Sequence, residues 1–73
     1  MKKWKLETKI GIVTFVNQKR GYGFIRQADG TQVFFHITGV CDMQFTDLRE
    51  GIEVEYFVED TPKGPKAIGV VER

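Results

Sequence analysis

One cysteine, one histidine, two prolines and no long apolar run set the first limits on this 73-residue chain. With Cys41 alone, an internal disulfide and a multi-cysteine zinc site are excluded, which fits a reducing compartment. Cys41 itself reads as a small loop residue, since the acidic neighbour Asp42 would not lower a thiol pKa. His36, the single histidine, has no companion at metal-ligand spacing and no obvious orienting partner for nucleophilic catalysis. No segment approaches the roughly 20 apolar residues of a membrane span. The basic start, Met1 to Glu7, is not followed by an apolar stretch of signal-peptide length. A cytoplasmic protein without membrane association is expected.

Enzymatic chemistry has equally little to work with. A chain this short buries only about 60% of its unfolded surface, which leaves little room for a deep catalytic cavity. Gly21-Tyr22-Gly23 lacks the longer glycine spacing and the Lys-Ser/Thr of a phosphate-cradling loop. Glu53 and Glu55 share a strand face, but their alternation with Ile52, Val54 and Tyr56 reads as the solvent side of a half-buried strand. No enzyme activity, cofactor or metal is expected, and function should lie on the surface.

What is present is a segregation of charge and of aromatic rings. Eleven basic residues nearly balance ten acidic ones, yet residues 1–41 carry seven cations and two acids, whereas residues 42–60 carry seven acids and only Arg49. The folded molecule can therefore own a basic side without a basic total.

Turn signals at residues 17–21, 29–30, 49–51 and 61–65 separate β-branched and aromatic runs, the pattern of an all-β barrel or sandwich. Five strands are predicted near 9–17, 22–28, 31–37, 51–60 and 65–72, with a helical turn around Thr46-Asp47-Leu48. Alternation sorts their side chains. Gly23, Ile25, Val33, Phe35 and Ile37 face inward with Val13, Ile52, Val54, Tyr56, Val58, Ile68 and Val70. Tyr22, Phe24, Phe34 and His36 then face outward together if Asp29-Gly30 closes a hairpin. Monomers rarely keep such an apolar patch without a use. A flat aromatic surface bordered by cations suits unpaired nucleobases, because every base has a face that can stack. Gly21 and Gly23 would let a ligand or another backbone approach closely.

Lys19-Arg20-Gly21-Tyr22-Gly23-Phe24-Ile25 followed by Val33-Phe34-Phe35-His36-Ile37 resembles the paired ribonucleoprotein-type motifs of the cold-shock domain, as in bacterial cold-shock and Y-box proteins. Gly11-Ile12-Val13, Asn17, Asp29-Gly30, Phe45, Leu48-Arg49-Glu50-Gly51 and Lys63-Gly64-Pro65 extend the likeness over residues 9–72. The resemblance implies a five-stranded antiparallel Greek-key barrel of the oligonucleotide/oligosaccharide-binding type. Residues 9–73 would form this domain and residues 1–8 a basic N-terminal extension. It implies binding of single-stranded RNA or DNA across the first three strands. Phe15, Tyr22, Phe24, Phe34, His36 and Phe45 would stack bases, and Arg20 and Lys63 would meet phosphates. The implied biology is RNA chaperoning or control of transcription and translation, including cold adaptation, by a monomer.

The chain also departs from that pattern. The first strand of the family reads Gly-X-Val-Lys-Trp-Phe-Asn; here Thr14, Phe15 and Val16 replace the lysine, tryptophan and phenylalanine, and Ile37 replaces the aromatic after the histidine. Weaker binding than that of a typical member is expected. Strict alternation would turn Phe15 inward beside Val13, so its exposure requires a bulge. The arm Lys2, Lys3, Trp4, Lys5 could replace part of the thinned platform. The alternative function is a protein-interaction module, or a strand-exchanged dimer, that uses the same aromatic face.

Overall fold

The computed structural model describes residues 8–41 and 47–73. The arm at residues 2–5, with Trp4, and the ring of Phe45 lie outside the described residues, as does Thr46 of the expected helical turn. Five strands follow in chain order: β1 (Lys9–Asn17), β2 (Tyr22–Gln27), β3 (Gln32–His36), β4 (Glu53–Thr61) and β5 (Gly64–Glu72). A 3-10 turn, Ile37–Gly39, leaves β3. No helix among the described residues is long and apolar enough to cross a membrane.

The strands close into a barrel in the order β1-β2-β3-β5-β4, with β4 returning to β1. Every pairing is antiparallel except β3 with β5, which runs parallel and sets Phe34 opposite Lys66. Closure removes the free edges that would otherwise invite pairing with another chain. Inside lie Val13, Ile25, Val33, Phe35, Leu48, Val54, Tyr56, Ala67 and Val70, with Val16, Val40, Ile52 and Val58 packed against them. The phenol of the fully buried Tyr56 donates to Gln27 Oε1 at 3.2 Å. Burial holds that phenol above its ordinary pKa of 10.0, with a smaller contribution from the charge of Asp29.

Two inward assignments fail for identifiable reasons. Ile37 is 43% exposed, because β3 stops at His36 and Ile37 starts the 3-10 turn instead of continuing the alternation. Ile68 is only half-buried. Its neighbour Ala67 takes the inward position, and a bulge then re-aims the strand: Glu55 to Phe57 on β4 spans Val71 to Ile68 on β5. Leu48, buried to 1% exposure, joins the core from the long connection, where no alternation marks it.

Candidate nucleic-acid interface

The first strand carries the device that decides the interface. Val13 pairs with Ile25 and Phe15 with Phe24, so Thr14 is an extra residue in the β1–β2 ladder. This bulge turns Phe15 outward, 38% exposed, and returns Val16 to the core. On the β4 side of the same strand, Val13 N–H donates to Ile52 O at 3.0 Å and Gly51 N–H to Val13 O at 2.7 Å, which pins the backbone beside the bulge.

Four rings meet on the outer surface as a result. Phe15 lies 5.9 Å from Tyr22 and 6.2 Å from Phe24, centroid to centroid. Tyr22 and Phe34 stack at 5.8 Å with 25° between their planes, while Phe24 meets Tyr22 and Phe34 edge-on at 6.1 Å each. Tyr22, Phe24 and Phe34 are half-buried, not sealed. Their close mutual packing fixes the rings, so a base that lands on them finds a preformed surface.

His36 pairs across the ladder with Tyr22. Its Nδ1 accepts from Thr38 N–H at 3.2 Å and lies 3.0 Å from Thr38 Oγ1. In the neutral ring the proton therefore sits on Nε2, which is left as a donor. Lys63 occupies the β4–β5 turn, where its N–H donates to Thr61 Oγ1 at 3.2 Å, and Thr61 Oγ1 donates to Gly64 O at 2.6 Å. This turn and β3 enclose a cleft of about 460 Å³ lined by Phe34, His36, Thr38, Pro62, Lys63 and Lys66. Arg20 is exposed in the β1–β2 turn, two residues before Tyr22, with its N–H held by Asn17 Oδ1 at 3.0 Å.

The sequence profile of the 'Cold-shock' DNA-binding domain matches residues 9–73. The chain belongs to the cold-shock domain family. It is 44% identical over 68 residues to the cold shock-like protein CspJ of Salmonella typhimurium, covering 90% of this chain and 97% of that one. It is 42% identical to CspI of Escherichia coli K12 over 84% of this chain and 89% of the relative. Among solved structures, Drosophila Unr CSD456 superposes with a TM-score of 0.78 at 25% identity, over 93% of this chain. This chain spans only 27% of that longer one.

Within this cold-shock domain the structure gathers Phe15, Tyr22, Phe24, Phe34, His36 and Lys63 on one side, with Arg20 at the near turn. Two features escape sequence reasoning. Lys66 comes to the cleft only through the parallel β3–β5 pairing, which no local signal announces. Thr14, standing where the family has a lysine, bonds from its Oγ1 to Gln32 Oε1 at 2.9 Å, so a neutral link from β1 to β3 replaces a cation.

Proposed function

We propose that this cold-shock domain binds single-stranded RNA or DNA by stacking successive bases on Phe15, Tyr22, Phe24, Phe34 and His36. Phe45 would add a further ring, and Arg20 and Lys63 would meet phosphates. The observation that carries the reading is the cluster of four contacting rings that the Thr14 bulge completes on the outside of the barrel. Bases so engaged are withheld from pairing, so the protein would loosen weak RNA secondary structure without consuming nucleotide triphosphate. It would act as a monomeric RNA chaperone or a regulator of transcription or translation in the cytoplasm, with a place in cold adaptation.

Anisotropy of a labelled oligo-dT strand of about seven residues tests this. Phe24→Ala and Phe34→Ala should each weaken binding by about 5- to 150-fold, the equivalent of 1–3 kcal/mol per stacked base, with folding intact. A wild-type protein that ignores the strand at low salt would overturn the proposal and turn attention to a protein partner for the same face.

A further inference from the structure

The outward row of β2 does not end with its rings. Tyr22, Phe24 and Arg26 alternate with the buried Gly23 and Ile25, so Arg26 emerges on the ring side of the barrel and is exposed. The step from Phe24 to Arg26 is two residues, about 7 Å by the rise of a strand, the same as the step from Tyr22 to Phe24. Across the ladders Arg26 stands opposite Ile12 on β1 and Gln32 on β3, and Ile12 stands opposite Glu53 on β4. A shallow cleft of about 400 Å³ lies on this row, lined by Ile10, Ile12, Arg26, Ala28 and Glu53 among others. The Thr14–Gln32 bond bridges β1 and β3 beside it, and with Oε1 taking the hydroxyl, Gln32 Nε2 is left to donate elsewhere.

Charge favours an anion at Arg26. Among the described residues the ion pairs are those of Arg73 with Glu53 at 3.7 Å and with Glu55 at 3.9 Å, so none of the described carboxylates pairs with Arg26, and Glu53, the acid on its row, has another cation. Arg20 lies just before Tyr22 and Arg26 just after Phe24, so the two guanidinium groups bracket the β2 rings.

We propose that Ile12, Arg26 and Gln32 form a further nucleotide subsite that extends the strip by one position beyond Phe24. The guanidinium takes the phosphate of that nucleotide, the base rests on Ile12, and Gln32 Nε2 donates to a carbonyl or ring nitrogen on the base edge. The inference rests on the stacking function proposed above and places on Arg26 the positive charge that Thr14 does not supply.

The test is titration of wild type, Arg26→Gln and Arg26→Lys with oligo-dT strands of about three to nine residues over a range of salt. Arg26→Gln should match wild type on the shortest strands and bind the longer ones more weakly. Its slope of log affinity against log salt on long strands should be shallower by about 0.7, the value of one lost phosphate contact, so a fourfold rise in salt narrows its gap to wild type by about 2.5-fold. Arg26→Lys keeps the charge and should keep the slope. Equal urea midpoints for the three proteins would show that the fold is unaffected. Should Arg26→Gln bind every length with the wild-type slope while Phe24→Ala still weakens binding, the subsite is wrong and the stacking reading stands. An equal loss at all lengths with an unchanged slope also overturns it. Failure of wild type to bind any strand removes the stacking reading itself.

Discussion

A side chain at Gly23 has nowhere to go. An added Cβ would stand 2.3 Å from the carbonyl oxygen of Phe15 and 2.7 Å from Cζ of the buried Phe35. Neither neighbour can yield, because one is strand backbone and the other fills the barrel centre. Gly23→Ala should therefore destabilise the fold by about 1–3 kcal/mol, read as a lower urea midpoint, and should displace Phe15 from the ring cluster. The sequence suggests that the glycines around Tyr22 admit a ligand; at Gly23 the close approach is instead inward, by the protein's own backbone and core. Gly21 has a different reason, a φ of 73° in the turn, with Ile37 packed where its side chain would be. The outward set Tyr22, Phe24, Phe34 and His36 was legible because strict alternation holds through β2 and β3. Ile37 was not, because one residue past a strand end the alternation no longer applies.

The β2–β3 turn shows how an element stabilises itself. Asp29 Oδ1 accepts from Thr31 Oγ1 at 2.6 Å and from Thr31 N–H at 3.0 Å, while Gly30 N–H donates to Gln27 O at 2.9 Å. The Thr31 hydroxyl, then the Thr31 N–H, holds the Asp29 carboxyl below its ordinary 3.8. A carboxylate with a depressed folded pKa stabilises the fold above its ordinary value, and that contribution is lost as pH falls through the folded value. Thr31→Val keeps the N–H and removes the hydroxyl. The Asp29 titration, followed by NMR of its carboxyl carbon, should move up toward 3.8, and the variant should lose less stability than wild type on acidification. In β1 the element-scale lesson runs the other way. Composition marks a strand over residues 9–17, but only the pairing with β2 shows that Thr14 is the inserted residue that exposes Phe15.

At the scale of the molecule, charge and rings are divided between strands. The rings lie on β1–β3, whereas β4 carries Glu53, Glu55, Glu59 and Asp60. With Arg20, Arg26 and Lys63 as the phosphate contacts, three charges are neutralised on binding. The slope of log affinity against log salt should be about −2 for a single strand long enough to reach all three, and about −1.5 for one that reaches two. A slope several times steeper would mean that electrostatics, not stacking, dominates. The sequence by itself determined the five strands and the outward set of β2 and β3, because these depend on local alternation and on turn residues that act within a few positions. The barrel and the family were legible through the likeness of the paired motifs. Tertiary structure decided the rest: Phe15 turned outward, Leu48 and Ala67 brought inside, and Lys66 set beside Phe34. Each of these depends on which strand lies next to which and in what register, and register is set by how the whole barrel closes around its core.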